Sequence, residues 1–312
     1  MSLPALWITF AVPAPAVAKL AERFDVVHTK GHGPEALAEA QKKPIVSVLT
    51  NGASGLHAAA INGLPNLKSI STFGAGYENV DLSAARARGV VVTHAPGVND
   101  ANVADHAVGL MLGIARDFVA GDRAVREGKW DQSRAYRPSL NNKRVGIIGL
   151  GNIGMRIARR CEAFDMTVAY NTRTPRSGVA WQHYSDLVKL AEDSEYLVAA
   201  CPGGPATRHI VNAQVLEALG PEGFFVNIAR GSVVDTAALI DALERGVIAG
   251  AGLDVVEGEP VVPEGLLKSN KVLFTPHMAG RTPDVVWNQV KLFTANAEAV
   301  LAGKTPPNPV PV

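Results

Sequence analysis

Three residues in the last third of the chain have side chains that could together carry out acid–base chemistry. Arg230 ends the run Asn-Ile-Ala-Arg, Glu259 precedes Pro260, and His277 follows Thr-Pro. Taken singly, each has a simple explanation as a surface cation, a loop acid or a core histidine. Each also follows a predicted strand of one parallel sheet, so we expect them to meet at one edge, where an arginine, an acid and an imidazole suit the reduction of a 2-oxoacid. The arginine would bind the anion, the histidine would supply a proton, and the acid would keep that histidine protonated.

The turn at residues 149–154, Gly-Leu-Gly-Asn-Ile-Gly, is a second functional pattern. It follows an apolar run at residues 145–148, and a helical pattern begins at Met155. Gly149 permits a sharp turn, Gly151 lets a pyrophosphate approach the backbone, and Gly154 lets helix and strand pack closely. The start of the helix offers free N–H groups and a positive dipole end to phosphates. A purely structural turn is the alternative, but the flanking strand and helix favour a dinucleotide site.

The choice of dinucleotide is indicated at the end of the next strand. NAD sites carry an acid about 20 residues beyond the glycine turn, whereas NADP sites need a cation for the 2′-phosphate. The segment here is Asn171-Thr172-Arg173-Thr174, and no carboxylate occurs between Asp165 and Asp186. Arg173 can bind a phosphate, and the neighbouring hydroxyls can add hydrogen bonds. We therefore predict NADPH, with NADH as a weaker possibility; a solvated loop arginine is the alternative.

Composition is consistent with a soluble enzyme of two domains and argues against several other classes of protein. The 312 residues are 47% hydrophobic and 19% charged, with a formal net charge of +1. The chain therefore lacks the excess of basic residues that would indicate nucleic-acid binding. No apolar run reaches the ~18 residues of a membrane helix. Cys161 and Cys201 lack metal-site spacing and are predicted to be reduced thiols of a cytoplasmic protein. The apolar start, residues 3–18, lacks a preceding basic residue and contains prolines, so we predict a strand rather than a secretory signal.

The order of predicted elements gives the fold class, α/β with two doubly wound parallel-sheet domains. Strands are predicted at residues 6–10, 25–27, 45–49, 67–72 and 90–93, and again at 145–148, 167–170, 196–200, 224–228, 249–253 and 272–274. Helical patterns separate most of them, which implies parallel sheets with helices on both faces. The first series predicts a flavodoxin-like substrate domain, and the second predicts a Rossmann dinucleotide-binding domain.

Two further segments connect these domains. A long helix is predicted from Asn99-Asp100 through Phe118, and an exposed, irregular arm at about 121–142 is expected to be solvated or packed on another subunit. A last helical pattern runs from Val286 to Val300 with Gly303 as its stop signal, and we expect it to return to the first domain. The predicted boundaries are therefore 1–99 plus 284–312 for the substrate domain and 100–283 for the NADP-binding domain.

These motifs together resemble the D-isomer-specific 2-hydroxyacid dehydrogenases over nearly the whole chain. The likeness rests on the glycine turn, the run Asn-Ile-Ala-Arg-Gly-Ser-Val-Val-Asp from Asn227, the run Gly-Leu-Asp-Val-Val-Glu-Gly-Glu-Pro from Gly252, and Thr-Pro-His. The resemblance implies a homodimer with a discontinuous substrate domain and assigns Arg230, Glu259 and His277 as the catalytic residues. Within the family, the Thr-Arg-Thr sequence is similar to that of NADPH-dependent glyoxylate and hydroxypyruvate reductases. Thr172 stands where an acid is usual, which places NAD in doubt.

The resemblance also implies the remaining site residues. Substrate contacts are expected at Asn51, Gly52 and the backbone amides of Ala75 and Gly76, together with Arg230 and His277. Cofactor contacts are expected at Gly149, Gly151, Asn152, Ile153, Gly154, Asn171, Thr172, Arg173, Thr174, Cys201, Pro202, Thr207, Ile228, Ala229, Arg230, Asp254, His277, Ala279 and Gly280. No metal is expected. The loop at Asn51 and Gly52 lacks the basic residue of phosphate-recognising members, so a small, unphosphorylated 2-oxoacid is favoured, in a cleft that closes over it.

Two other functions stay open from the sequence. Some proteins that resemble this family are dinucleotide-sensing corepressors with the same motifs, although Arg173 argues against them because those sensors resemble NAD binders. A related dehydrogenase acting on formate or phosphite is a further alternative, disfavoured because relatives of the formate type usually lack the acid found at Glu259.

Overall fold

The computed structural model describes residues 2–311 and divides them between two compact units. One unit comprises Met1–Asn99 and Arg281–Val312, and the other comprises Asp100–Gly280. The first is discontinuous in sequence. The second boundary lies three residues before the predicted one, because Arg281 and Thr282 precede the final helix and group with it in the first unit.

The first unit, called the substrate unit below, is built on a five-stranded parallel sheet. Its strands are β1 (Ala5–Ile8), β2 (Asp25–His28), β3 (Ile45–Thr50), β4 (Ser69–Thr72) and β5 (Val91–Thr93). Its helices are α1 (Ala14–Ala21), α2 (Glu39–Lys42), α3 (Ala58–Asn62), α4 (Leu82–Ala87) and α12 (Pro283–Leu301), with a 3₁₀ turn at Pro34–Ala36. The strand order is β2-β1-β3-β4-β5, the flavodoxin-like order.

Apolar side chains cover both faces of this sheet. On one face, Val48 and Ile70 pack with Trp7 and Ile61. On the other face, Leu6 and Ile8 pack against α1 and α12, which contribute Leu20, Val290 and Phe293. A parallel sheet buried on both faces needs strands without a polar side, and β1 is accordingly buried at every position.

The second unit, called the dinucleotide unit below, contains a seven-stranded parallel sheet. Its strands are β6 (Arg144–Ile148), β7 (Thr167–Asn171), β8 (Gln182–Tyr184), β9 (Tyr196–Ala199), β10 (Phe224–Asn227), β11 (Gly250–Leu253) and β12 (Val272–Phe274). Its helices are α5 (Asp100–Arg116), α6 (Phe118–Arg126), α7 (Asn152–Glu162), α8 (Leu187–Glu192), α9 (Ala213–Leu219), α10 (Thr236–Arg245) and α11 (Glu264–Lys268), with 3₁₀ turns at Pro205–Thr207 and Gly231–Val233. The order is β12-β11-β10-β9-β6-β7-β8.

This order is the Rossmann arrangement with one strand added beyond its usual six. The predicted fold class, two doubly wound α/β domains, is therefore confirmed. The sequence prediction of six strands missed β8, because Gln182, His183 and Tyr184 form no apolar run. β8 pairs only with β7, at the edge of the sheet, where polar residues suit a strand that is open on one side.

The predicted long helix is shorter than expected. It ends at Arg116 because Asp117 adopts the left-handed conformation (φ 55°), and α6 begins at Phe118. The prediction that Phe118 lies on the long helix is therefore wrong. The prediction of an irregular arm at about 121–142 is also wrong in its first part, since α6 continues to Arg126. From Glu127 the segment has turns but no further helix before β6.

No helix of the described residues is long and apolar enough to cross a membrane. A group of three or more His, Cys, Asp or Glu side chains placed to hold a metal ion is likewise missing from the described part of the chain.

Candidate active site

The strongest candidate for chemistry is a histidine–carboxylate pair at the carboxyl ends of two neighbouring strands. Glu259 follows β11 and His277 follows β12, and these strands are paired in the sheet. His277 Nδ1 lies 2.5 Å from Glu259 Oε1. A carboxylate only accepts hydrogen bonds, so Nδ1 carries a proton and Nε2 is left as the second functional atom of the ring. With its orientation fixed by the carboxylate, the imidazole can exchange a proton with a ligand through Nε2.

Arg230 lies at the end of the next strand, β10, and the local structure fixes its position. The buried Asn227 side chain donates to the Arg230 carbonyl at 2.9 Å and accepts from the Ala229 N–H at 3.0 Å. A Cβ added at Gly231 would lie 2.0 Å from the Val256 carbonyl carbon. This close approach packs the loop that carries Arg230 against the loop that carries Glu259. The predicted residues therefore follow three consecutive strands of one sheet.

Asp254 binds the backbone around His277. Its carboxylate accepts the N–H groups of Met278 and Ala279 at 2.9 and 3.1 Å, and its carbonyl oxygen accepts the His277 N–H at 2.8 Å. The Thr275 hydroxyl donates to the same carboxylate at 2.6 Å. Burial pushes the pKa of Asp254 up, but hydrogen bonds from side chains and backbone outweigh that effect and lower the pKa to about 2. The sequence predicted Asp254 as a cofactor contact, and within the described residues its carboxylate serves the turn at His277.

The glycine turn has the geometry that a dinucleotide requires. Gly149 has φ 93°, and a Cβ there would lie 2.7 Å from Cys201 Cα; at Gly154 it would lie 2.1 Å from the Gly149 carbonyl oxygen. A Cβ at Gly151, in contrast, would meet no atom within 4 Å. Gly151 is the N-cap of α7, and no side chain caps that helix. Open space beside an uncapped helix N-terminus fits a pyrophosphate. The helix begins at Asn152 rather than at the predicted Met155, so Asn152, Ile153 and Gly154 form its first turn.

The loop after β7 presents Arg173 to solvent. Thr172 Oγ1 donates to the Thr174 carbonyl at 2.7 Å, which tightens the loop. His183 Nε2 lies 2.9 Å from the Thr172 carbonyl, so this ring nitrogen donates. Among the described residues, the Arg173 side chain has no hydrogen-bond or ion-pair partner. A rigid loop that carries an unpaired, exposed guanidinium suits a 2′-phosphate. The sequence analysis missed His183 because its role depends on the unpredicted strand β8.

The remaining predicted cofactor contacts surround the same edge of the sheet. Thr207 Oγ1 donates to the Pro202 carbonyl at 2.7 Å, which closes the loop after β9. Asn171 Nδ2 donates to the Tyr184 carbonyl at 2.8 Å. The other members, each at or beyond the end of a strand, are Cys201, Ile228, Ala229, Ala279 and Gly280. The Cys201 thiol is buried, and burial raises its pKa to about 11, so its contribution would come from the backbone.

The predicted substrate loops lie together at the carboxyl edge of the substrate unit. Asn51 and Gly52 follow β3, and Ala75 and Gly76 follow β4. A Cβ added at Gly52 would lie 2.9 Å from the Gly76 carbonyl oxygen, so the two loops touch. Neither the Ala75 nor the Gly76 N–H has an acceptor among the residues that the structure describes. Both amides are therefore available to a carboxylate.

Two side chains that the sequence analysis missed hold these substrate loops. His94 Nδ1 lies 3.0 Å from the Ala75 carbonyl oxygen, and its ring stacks edge-on against Tyr77 with centroids 5.3 Å apart. Asn79 Nδ2 donates to the carbonyl oxygens of Gly52 and Ala53 at 2.9 and 3.0 Å. A local signal was present for Asn79, which lies three residues beyond Gly76 in the same loop. His94 follows a different strand, and only the fold brings it to this loop.

Comparison with known families decides the affiliation. Residues 108–279 match the model of the D-isomer specific 2-hydroxyacid dehydrogenase, NAD binding domain. The chain belongs to this family. The resemblance seen in the motifs is thereby confirmed. The matched residues include the glycine turn and all three candidate catalytic residues.

Individual relatives cover most of the chain. A glyoxylate/hydroxypyruvate reductase A of Arabidopsis thaliana is 42% identical over 275 residues, 88% of each chain. A hydroxyphenylpyruvate reductase of Plectranthus scutellarioides is 41% identical over 271 residues, 86% of this chain and 87% of the relative. The crystal structure of an NADPH-dependent glyoxylate/hydroxypyruvate reductase from Sinorhizobium meliloti, in complex with NADP and malonate, has a TM-score of 0.92 at 38% identity and covers 99% of this chain and 97% of that one.

Proposed function

We propose that this protein is an NADPH-dependent reductase of small 2-oxoacids, with glyoxylate and hydroxypyruvate as substrates and D-2-hydroxyacids as products. The observation that carries the proposal is the 2.5 Å contact between His277 Nδ1 and Glu259 Oε1, beside β10, the strand that Arg230 follows. A proton donor held by a carboxylate, next to a cation for an anionic substrate, is what carbonyl reduction of a 2-oxoacid needs. The named activities of the Arabidopsis and Sinorhizobium relatives support the same substrate class.

The protein groups have distinct roles in the proposed reaction. Arg230 binds the substrate carboxylate and polarises the carbonyl. Glu259 fixes the tautomer and orientation of His277, whose Nε2–H donates the proton to the carbonyl oxygen. NADPH, when bound, supplies the hydride that the carbonyl carbon receives. We assign the free amides of Ala75 and Gly76 to the substrate carboxylate as well.

The cofactor preference is proposed to depend on Arg173. Its exposed, unpaired guanidinium would gain charge-assisted hydrogen bonds with a 2′-phosphate that NADH lacks. Such bonds contribute about 1.5–3 kcal/mol each, so Arg173→Ala should raise the KM for NADPH about 10- to 100-fold and leave the KM for NADH nearly unchanged. Arg86→Ala removes an exposed arginine of the substrate unit and is the matched control. Equal use of the two cofactors by the wild type would contradict this assignment.

The substrate class is tested by initial rates of NADPH oxidation with glyoxylate, hydroxypyruvate and hydroxyphenylpyruvate. The proposal predicts the highest kcat/KM with one of the two smaller compounds. A clear preference for hydroxyphenylpyruvate would instead align this protein with its Plectranthus relative. Absence of turnover with all three compounds would contradict the reductase proposal and favour a dinucleotide-sensing corepressor. Turnover of formate or phosphite would instead favour a dehydrogenase acting on that compound.

We further propose that the protein is a homodimer that associates through α6 and the arm that follows it. Five large apolar side chains are exposed on this segment: Phe118, Val119, Val125, Trp130 and Tyr136. Exposed apolar side chains grouped on one segment indicate an interaction surface. Light scattering after size exclusion should give a dimer for the wild type and a monomer for Trp130→Ser combined with Tyr136→Ser. Leu267→Ser, on α11, is the control, and a monomeric wild type would refute the assembly.

The cytoplasm is the proposed location, since both cysteines are free, buried thiols of the kind that a reducing compartment maintains. Fractionation of the source cells tests it.

A further inference from the structure

His106 belongs to none of the predicted sites, yet it contacts the network beneath the catalytic histidine. It lies near the middle of α5, and its side chain is 22% exposed. Its Nε2 is 2.8 Å from the Thr275 hydroxyl oxygen and 3.5 Å from Asp254 Oδ1. All three residues belong to the dinucleotide unit.

The direction of the hydrogen bonds in this network follows from counting protons. Asp254 is ionised at neutral pH because its pKa is lowered to about 2, so it only accepts. The 2.6 Å contact between Thr275 Oγ1 and Asp254 Oδ1 therefore uses the one hydroxyl proton of Thr275. The Thr275 oxygen is left as an acceptor, and only His106 Nε2–H can donate to it. A series of hydrogen bonds therefore runs from the His106 N–H through the Thr275 O–H to the Asp254 carboxylate.

This series of hydrogen bonds ends at the backbone that orients His277. Asp254 accepts the N–H groups of the two residues after His277, and its carbonyl oxygen accepts the N–H of His277 itself. His277 has φ 49°, a left-handed conformation that a non-glycine residue adopts at a cost. Such a conformation persists only when neighbouring groups hold it, and the Asp254 carboxylate does so here.

We propose that His106 is a positioning residue for the reduction: by fixing the Thr275 hydroxyl and the Asp254 carboxylate, its Nε2–H holds the backbone turn that aims the His277 ring. The inference rests on the proposed function only for its kinetic readout. His106 transfers no proton to substrate in this account, and its effect reaches the reaction through two side chains and the backbone.

Paired substitutions separate positioning from packing. His106→Leu removes the donor and keeps an apolar side chain, whereas His106→Gln keeps an N–H close to the position of Nε2. We expect His106→Leu to lower kcat about 10- to 100-fold with little change in the KM for the 2-oxoacid, and His106→Gln to recover kcat to within about threefold of the wild type. Thr275→Val should match His106→Leu, and the double variant should be no worse than either single one. His32→Leu, an exposed histidine of the substrate unit, is the control and should keep the wild-type kcat.

A second readout needs neither cofactor nor turnover. In long-range ¹H–¹⁵N correlation spectra of the cofactor-free protein, His106 should show a protonated Nε2, and the His277 ring signals should move in His106→Leu but not in His106→Gln. If the wild type reduced no 2-oxoacid, these spectra would still decide the matter, so the two proposals fail separately. Equal loss of kcat in the Leu and Gln variants, an unchanged kcat in His106→Leu, or an unprotonated Nε2 would overturn the inference.

Discussion

The two units of this protein share one plan, a doubly wound parallel sheet, but the carboxyl edges of the two sheets present different chemistry. On the substrate unit, the groups free to bind a ligand are backbone amides, at Ala75 and Gly76. On the dinucleotide unit, the candidate groups are the side chains of Arg230, Glu259 and His277, which follow three consecutive strands. The shared fold brings strand ends together in both cases, and the residues in the loops decide what each edge can do.

The supports of the two edges also differ. An imidazole and an amide side chain hold the substrate loops by bonding carbonyl oxygens. An ionised, buried carboxylate, Asp254, holds the turn at His277. Substitutions on the dinucleotide unit should therefore reduce activity or stability more than substitutions on the substrate unit, because they remove charges or leave charged groups unpaired.

The largest effect is expected for Arg230→Ala, which removes the proposed anion-binding charge. Loss of one partner of a charge pair costs about 3–5 kcal/mol, so kcat/KM for the 2-oxoacid should fall by about 10² to 10³-fold or more. Arg230→Lys should recover part of this loss because it restores the charge without the planar fork. Steady-state rates with saturating NADPH measure both. A loss of kcat/KM of less than about tenfold in Arg230→Ala would show that another residue supplies the anion-binding charge.

The glycine turn gives the next effect, through stability. In Gly154→Ala the new methyl group would lie 2.1 Å from the Gly149 carbonyl oxygen, so the free energy of unfolding should fall by about 1–3 kcal/mol. Gly151→Ala meets open space and should unfold like the wild type, while its affinity for NADPH drops. Urea denaturation and a fluorescence titration with NADPH distinguish the two. Similar stabilities for both variants would contradict the assigned roles.

Asp254→Asn tests the charged support directly. Because the pKa of Asp254 is lowered to about 2 in the folded protein, from about 3.9 in the unfolded chain, its ionised form stabilises the fold at neutral pH by about 2.5 kcal/mol. That stabilisation is complete above the unfolded pKa of about 3.9 and is lost as the pH falls towards 2. The difference in unfolding free energy between wild type and variant should shrink over the same range.

Denaturation curves at several pH values check this, with Asp241→Asn as the control. Asp241 is an exposed acid paired with Arg245 on α10, so its loss should change stability by less than about 1 kcal/mol. A constant difference in unfolding free energy between wild type and Asp254→Asn from pH 7 to 2 would contradict this role of the Asp254 charge.

The smallest effect belongs to the substrate unit. In Gly52→Ala the added methyl group would lie 2.9 Å from the Gly76 carbonyl oxygen and displace that loop slightly. A cost of about 1 kcal/mol corresponds to a roughly fivefold higher KM for the 2-oxoacid, with the affinity for NADPH unchanged. Gly109→Ala, where a methyl group meets no atom within 4 Å, is the control. An effect on NADPH affinity would argue against separate roles for the two edges.

Local sequence was sufficient for the features whose cause is local. Apolar runs gave most of the strands, and the glycine spacing gave the turn before α7. The acid, arginine and histidine were predicted as a group because each follows a predicted strand of the same sheet. What was missed depends on distant residues: β8 has no apolar run, and His94 and His106 matter only because the fold brings them to Ala75 and Thr275. The end of α5 at Asp117 was also missed, since a left-handed residue leaves no mark on the apolar pattern.

The pair of Glu259 and His277 is the centre of this account, and a single-turnover experiment on His277→Gln tests it most directly. The variant would be saturated with NADPH, mixed rapidly with glyoxylate or hydroxypyruvate, and followed by nicotinamide absorbance, with NADPH affinity measured separately. The account predicts an affinity within about threefold of the wild type and a reduction rate lower by about 10² to 10⁴-fold, the usual contribution of a general acid. A reduction rate within about tenfold of the wild type would show that another group supplies the proton.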